Sequence, residues 1–327
     1  MNNKLTNRNV LVTGGAGFIG SNLIASLLES GNKVVCLDNF STGRLENIAG
    51  FNGLPTFTFI EGDIRNYEDC LRAVKGIDIV FHQAALGSVP RSIKDPETTT
   101  DVNIGGFVRM LTASKESGVK RFIYAASSST YGDNDELPKL EDNIGNPLSP
   151  YAVTKYADEL FAQVFALNYE MEIIGLRYFN VYGPKQDPEG AYAAVIPKFV
   201  LQLKRGERPI INGDGSISRD FTHVSNVVNA NHLAAIVTNP EALNQVYNVA
   251  CGESTSILRM FEIIRESLGK SDKRVLTVEP LFGPERKGDI RHSLASVEKA
   301  GKFLGYKPEI GIEEGLPATV KWFRENL

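Results

Sequence analysis

Short apolar runs and amphipathic segments alternate along the first half of the chain. Val10 to Val12 is an apolar, β-branched run of the kind that fills a buried parallel strand, and Phe18 to Leu28 has the spacing of an amphipathic helix. Lys33 to Leu37, Thr56 to Ile60, Ile77 to His82 and Lys120 to Ala126 read as further strands. Asn66 to Val74 reads as a helix, and a long helix starts at Pro96 and is stopped at Gly118 after Ser117. Leu86 to Ser92 reads as a loop. Repeated strand–helix units predict a doubly wound parallel α/β sheet with ligands at the carboxyl ends of its strands.

The pattern changes in the second half. A helix opens at Tyr151 and runs to about Tyr169. After the polar turn Pro184 to Gly190 come a helix from Ala193 to Lys204, a short strand Pro209 to Asn212 and the turn Gly213-Asp214-Gly215. Val224 to Val237 and Ile257 to Leu268 are helical, with a strand at Gln245 to Val249 between them. Arg286 to Ser293 reads as a loop, followed by helices from about Ser296 and Gly315. With 327 residues the chain is too long for one ordinary core. The expected division is residues 1–183 for the sheet domain and 184–327 for a smaller C-terminal α/β lobe.

Composition narrows the function classes. The chain is 42% hydrophobic and 23% charged, with no apolar run long enough to span a bilayer. Its net charge is −4 with no basic block, which argues against nucleic acid or an anionic membrane as a partner. An anionic substrate must then be met by local arginines. Met1 to Arg8 is polar and is no signal peptide. The three cysteines, Cys36, Cys70 and Cys251, form no metal or redox motif, and the odd count suits a reducing cytoplasm. His82, His223, His232 and His292 are scattered, so no metal site is expected.

The chemistry begins at the first strand–helix turn. Gly14, Gly17 and Gly20 follow the strand and open the helix, the context that makes a glycine pattern informative. Glycine permits the tight turn, the approach of a pyrophosphate and close helix packing, and the helix N-terminus offers free N–H groups. The second strand ends at Asp38, placed to accept the ribose hydroxyls of an adenosine. Asn39 follows, with no adjacent arginine for a 2′-phosphate, so NAD rather than NADP is expected in this Rossmann-type arrangement. Asn39 to Gly43 is a small polar loop able to wrap the adenosine. Asp63 either bonds the adenine amino group or caps the following helix. Gln83-Ala84-Ala85 lets the chain lie against a flat cofactor.

The fifth strand runs into Ser127-Ser128-Ser129-Thr130, and Tyr151 and Lys155 then share a helix face as i and i+4. An ammonium near a phenol favours the phenolate, which takes a proton from a sugar hydroxyl near neutral pH, and a serine at the strand end can bond the same oxygen.

These residues resemble the extended short-chain dehydrogenase/reductase superfamily from end to end. The markers are Thr13-Gly14-Gly15-Ala16-Gly17-Phe18-Ile19-Gly20, Asp63-Ile64, His82-Gln83-Ala84-Ala85, Tyr151-x-x-x-Lys155 and Arg177-Tyr178-Phe179-Asn180. Within it the chain is similar to the bacterial UDP-N-acetylglucosamine 4-epimerases. That likeness is carried by His82 to Ser92, Ala125 to Gly132, Gly190 to Pro197 and Arg286 to Ser293.

The resemblance implies Tyr151 as acid/base, Lys155 as its partner and ribose ligand, and Ser127 as the hydrogen-bonding relay. It places Phe18, Ile19, Asn39, Ser41, Thr42, Gly43, Ile64, Tyr178 and Val181 with the cofactor. Gly87, Ser88 and Ser128 would touch the sugar, and Asn180, Arg219 and Arg286 the diphosphate. Asp289 would bind the uridine ribose, and the Ile210-Ile211-Asn212 backbone the uracil edge. Val195, Lys198 and Ser293 complete the substrate set. It further implies that residues of about 222–250 pack back on the sheet domain. A homodimer is implied too, through helices at about Pro96–Ser117 and Ser149–Tyr169, which carry apolar residues on more than one face.

Two features sharpen the expectation. Dehydratases and decarboxylases of this superfamily carry a carboxylate just after the strand-five serine or threonine, whereas Ser128, Ser129 and Thr130 stand here. Epimerases restricted to plain hexoses carry a bulky tyrosine where this chain has Ser293. The expected function is 4-epimerisation of UDP-GlcNAc and UDP-GalNAc. The rivals are a UDP-hexuronic acid epimerase using Arg91, a UDP-glucose/UDP-galactose epimerase, an oxidoreductase that releases NADH, and an NAD-binding sensor without activity.

Overall fold

The computed structural model describes residues 4–188, 194–285 and 291–326. Seven parallel strands form one sheet: β1 (Asn9–Thr13), β2 (Lys33–Asp38), β3 (Phe57–Glu61), β4 (Ile79–His82), β5 (Arg121–Ser127), β6 (Glu172–Tyr178) and β7 (Val246–Val249). Their spatial order is β7-β6-β5-β4-β1-β2-β3. The strand order reverses between β1 and β4, and the crevice above that switch point is where such sheets hold ligands.

Both faces of the sheet are covered, which explains the nearly unbroken apolar runs of its strands. Successive side chains point to opposite faces. Val10 and Val12 of β1 join a core with Leu23 and Ile24 of α1 (Phe18–Glu29) and with Val227 and Ala230. Leu11 between them joins the opposite core with Phe107, Met110 and Phe122. That second face is roofed by α2 (Gly106–Glu116) and α3 (Pro150–Tyr169). The smaller lobe has its own core, in which α4 (Val195–Lys204) packs through Phe199 and Val200. Against it lie Phe261 and Ile264 of α6 (Ile257–Gly269), Val320 and Phe323 of α7 (Ile312–Asn326), and their neighbours.

The chain crosses between these bodies more than once. After β6 it builds α4 and then returns as α5 (Val224–Ile236), which lies beside α1, and as β7, which pairs with β6 from Val246↔Gly175 to Val249↔Tyr178.

Several elements depart from the sequence pattern. β6 was not among the expected strands: Gly175 interrupts its apolar run Ile173-Ile174-x-Leu176. A Cβ at Gly175 would lie 2.5 Å from the Tyr124 hydroxyl, so the gap in the pattern is the space that ring needs. Leu86 to Ser92 is not all loop, because Val89–Lys94 is a helix whose cap is Ser88, accepting from the Arg91 N–H at 3.2 Å. The long helix after Pro96 is broken in kind: Pro96–Thr100 is α-helical, Asp101–Gly105 is one π turn, and α2 follows. The last helix starts at Ile312, not Gly315. The cap of the helix Tyr67–Ala73 is Asn66, which accepts from Glu68 N–H at 3.0 Å, and not Asp63.

Candidate active site

A cleft of about 330 Å³ lies at the switch point, a size within the range of small-molecule sites. Its walls contain Gly14, Gly17, Phe18, Ile19, Gly20, Asp38, Asn39, Ser41, Thr42, Asp63, Ile64, Gln83, Ala84, Ala85 and Gly87. Residues nominated separately from the sequence thus meet on one surface.

The glycines divide by task. A Cβ on Gly14, at φ +65°, would lie 2.8 Å from the Ala84 Cα, and one on Gly20 would lie 2.2 Å from the Gly14 carbonyl oxygen. Those two are demanded by backbone packing. Gly17 is different: a Cβ there would meet only the Gly14 oxygen, at 3.1 Å. The space beside it belongs to the cleft. Gly17 begins α1 with no side-chain cap, and the first bond inside the helix is Ser21 N–H to the Gly17 carbonyl at 3.0 Å. The preceding N–H groups and the helix dipole are turned to favour an anion in this place.

At the other end, Asp38 is buried at the tip of β2. Its Oδ2 accepts from Ala16 N–H at 2.9 Å and its Oδ1 from Phe40 N–H at 2.8 Å. Each oxygen keeps a lone pair for a ribose hydroxyl. Burial raises this carboxyl above its ordinary range, against the backbone N–H bonds that lower it. The loop after it folds over the glycine turn: Arg44 N–H and Asn47 Nδ2 both donate to the Ala16 carbonyl, at 3.0 and 2.8 Å. Gly43 supports that fold, since a Cβ there would lie 2.9 Å from Ala16. Asp63 lines the cleft but is already engaged. Arg65 Nη2 donates to its Oδ2 at 2.7 Å and Asn39 Nδ2 at 2.8 Å. The Arg65 bonds hold its pKa down at about 2. Arg65 itself lines the cleft and went unremarked in the sequence; Asp63 takes up its charge.

The floor is held by polar networks. The Tyr178 hydroxyl donates to Gln83 Oε1 at 3.1 Å and accepts from Asn231 Nδ2 at 2.9 Å, and Gln83 Nε2 reaches Asn231 Oδ1 at 3.3 Å. Tyr178, 8% exposed, is therefore a buried support for Gln83 and is not itself in the cleft wall. Val181, half-buried in a two-residue strand with Tyr182, also lies outside that lining. His82 Nδ1 and Thr13 Oγ1 are hydrogen-bonded at 2.9 Å, tying the ends of β4 and β1. Burial, and next the Lys155 charge, push His82 down to about 3, so it is neutral and no proton donor.

The Tyr151–Lys155 pair lies on α3, which packs against β5. Ser149 caps α3 through Ala152 N–H at 3.1 Å, and Pro150 fits the first helical turn. Tyr151 comes next, half-buried, and Lys155 follows one turn later on the same face. Lys155 is 3% exposed, and its Nζ donates to the Ala125 carbonyl of β5 at 3.0 Å and to Asp158 Oδ2 at 3.2 Å. Ser127 ends the same strand. Its Oγ accepts from Ser129 Oγ at 2.9 Å and Ser129 N–H at 3.2 Å, which leaves its own O–H to donate elsewhere.

No local pattern singles out Asn103, which sits in the π turn. It accepts from Leu86 N–H at 2.8 Å and donates to Thr154 Oγ1 at 3.0 Å. It thus joins the loop before Gly87 and Ser88 to the helix of Tyr151. An extra residue in a helix often marks a functional site.

On the lobe side, Ser293 N–H donates to the Ser218 carbonyl at 3.1 Å, so Ser293 and Arg219 occupy adjacent extended segments. Asp220 beneath them accepts from Cys251, Gly252 and Ala295 N–H at 2.8, 3.0 and 3.2 Å. Asn180, at φ +35°, donates from Nδ2 to the Asp220 carbonyl at 3.0 Å. Ile210–Asn212 pairs with Leu281–Gly283. Val195 and Lys198 lie in the first turn of α4, half-buried and exposed respectively. Ser128 is half-buried beside Ser127. Arg286 and Asp289, with residues 190–193 of the expected sugar-lobe signature, lie outside the described residues.

A dinucleotide cleft at the switch point of a doubly wound sheet, in a chain that also carries a Tyr–Lys pair and a strand-end serine, marks a nicotinamide-dependent enzyme, although Tyr151, Lys155, Ser127, Ser128 and Ser88 are not among the residues of the cleft wall. Comparison with known proteins agrees. The NAD dependent epimerase/dehydratase family is matched over residues 10–250. The UDP-glucose 4-epimerase of Mycolicibacterium smegmatis is 38% identical, covering 97% of this chain and 98% of its own. The solved UDP-N-acetylglucosamine 4-epimerase of Methanobrevibacter ruminantium M1, in complex with UDP-N-acetylmuramic acid, is 40% identical with a TM-score of 0.91, over 99% of this chain and all of that one. The UDP-glucuronic acid 4-epimerase of Bacillus cereus, in complex with UDP-glucuronic acid and NAD, is 31% identical with a TM-score of 0.87, over 98% and 100%. The chain belongs to the NAD dependent epimerase/dehydratase family. Its cofactor is NAD, and the free helix N-terminus, the open side of Gly17 and the two half-used Asp38 oxygens fit it. Among the described residues no helix is long and apolar enough to cross a membrane.

Proposed function

We propose that this enzyme is a UDP-sugar 4-epimerase that interconverts UDP-GlcNAc and UDP-GalNAc. The observation that carries the reading is the strand end of β5. It places Ser127, Ser128, Ser129 and Thr130 beside Lys155, with no carboxylate among them to assist elimination. Tyr151, as phenolate, takes the proton of the sugar C4 hydroxyl, and Ser127 bonds the same oxygen. Bound NAD supplies reversible acceptance of a hydride at C4. The 4-keto sugar turns in the pocket while Arg219, Asn180 and Arg286 keep the diphosphate fixed, so that C4 takes its hydride back on the opposite face and the C4 oxygen takes its proton back from Tyr151. Arginine forks suit that diphosphate. Ser293 is half-buried at the lobe edge, and its small side chain leaves room for an N-acetyl group.

The 40% identity to a UDP-N-acetylglucosamine 4-epimerase over the full length supports the N-acetyl assignment. The test is proton NMR of the purified protein with UDP-GlcNAc and no added cofactor. Growth of the UDP-GalNAc anomeric signal to a plateau without net NADH is the expected result. Conversion of UDP-glucose or UDP-glucuronic acid alone would overturn the sugar assignment, and accumulation of NADH would overturn the epimerase.

A further inference from the structure

One buried acid beside the Tyr–Lys pair is only half used. Asp158 lies on α3 just beyond Lys155 and is 0% exposed. Its Oδ2 accepts from Lys155 Nζ at 3.2 Å, while its Oδ1 is buried with no hydrogen-bond partner among the described residues. Buried carboxylate oxygens are normally satisfied, and a bare one is costly. The next residue shows the satisfied alternative: each Glu159 oxygen takes a bond from Arg177, at 2.8 and 2.7 Å. Asp158 has no such partner. It shares the Lys155 ammonium with the Ala125 carbonyl, and that leaves the third Lys155 proton for the site.

We propose that Asp158 is a positioning residue that fixes the Lys155 ammonium under the end of β5 and sets how much of its positive charge acts on the Tyr151 phenol. The inference deepens the proposed reaction and rests on Tyr151 being its acid/base. An ionised Asp158 offsets the field of Lys155 at the phenol; a neutral one does not.

The surroundings leave these two charges facing each other. Glu159, on the same helix, is committed to Arg177 of β6. Tyr124 of β5 is pushed well above its ordinary pKa by burial, with Glu159 and Asp158 adding to it. His82 of β4 is neutral. On the helix run of residues 96–116, Asp101 and Arg109 pair with one another near the surface. Burial raises the Asp158 carboxyl, and the charge and hydrogen bond of Lys155 pull it down.

The test reads Tyr151 without any sugar. The tyrosinate absorption of Tyr151 is isolated in the holoenzyme as the difference from Y151F, and is titrated against pH with Asp158 native and as D158N. Asparagine keeps the shape and removes the charge. The expected result is that the D158N tyrosinate signal appears at lower pH by about half a unit or more. An unchanged or higher midpoint overturns the proposal. A shift that persists undiminished in a K155M background overturns the route through Lys155. If D158N does not fold, D158S is equally neutral and serves in the same titration. A shift without turnover of any UDP-sugar strikes the proposed reaction and leaves Asp158 standing; turnover without a shift strikes Asp158 alone.

Discussion

Lys155 Nζ donates to the carbonyl of Ala125, 3.0 Å away on β5, two residues before Ser127. This bond crosses from helix to strand and brings the Tyr151 face of α3 against the serine end of the sheet. Y151F removes only a hydroxyl, so the expected outcome is a loss of turnover of about 10²–10⁴-fold. NAD content, read by absorbance of the denatured protein, stays at the native level. K155M is expected to lose turnover and to release NAD as well, because it removes the charge and, as we propose, a ribose ligand.

Asn103 acts through position alone. N103A leaves the Leu86 N–H without its 2.8 Å acceptor and Thr154 Oγ1 without its 3.0 Å donor. A buried donor left bare costs about 1–3 kcal/mol, so thermal unfolding is expected to move down accordingly. Turnover should fall further than stability explains, because the loop of Gly87 and Ser88 loses its link to α3. Kinetics measured well below the unfolding midpoint separate the two effects.

His232 gives a pH signature with a definite sign. Its Nδ1 accepts from Leu5 N–H at 3.1 Å and its Nε2 meets Ser26 Oγ at 3.0 Å. Burial, helped by the Lys4 charge, lowers it from 6.5 to about 4. The unfolded chain therefore binds this proton first. The stability that neutral His232 contributes is complete above pH 6.5 and is lost as pH falls towards 4. H232Q cannot titrate. The gap in unfolding temperature between native protein and H232Q should be widest at neutral pH and shrink on acidification; a gap independent of pH would contradict the assignment.

We propose that a second copy covers the outer face of α3, as the family resemblance implies. Val153, Val164 and Leu167 are exposed on that helix by 52, 53 and 83%, an apolar stripe unusual for a solvated surface. V164E is expected to halve the mass seen by light scattering. An unchanged mass would place any self-association elsewhere.

Much of this was legible in the chain because the signals were local. Val10 to Val12, the three glycines and Asp38 are each fixed by a strand, a turn and a strand end, and periodicity reads such units directly. β6 escaped because Gly175 makes room for Tyr124, a demand set by a residue from another strand. Asn103, Asn231 and Asp158 escaped for a related reason. Their partners are far apart in sequence or, for Asp158, on a neighbouring turn whose burial the sequence does not disclose. Tyr178 is expected at the cofactor, and its buried hydroxyl donates to Gln83; a hydroxyl pointing at a cofactor and one pointing at Gln83 leave the same trace in sequence.

The strand that closes the sheet beside β6 arrives late. β6 is complete at Tyr178, yet its outer hydrogen-bonding edge stays bare until Val246–Val249 has been synthesised, after α4 and α5 have emerged. A growing chain on the ribosome therefore carries an open, apolar parallel edge through the translation of that whole stretch. Such edges invite pairing with other chains. The nascent enzyme's most vulnerable interval for aggregation lies between those two strands, and a premature stop there leaves a product with the complete dinucleotide turn and an uncovered sheet.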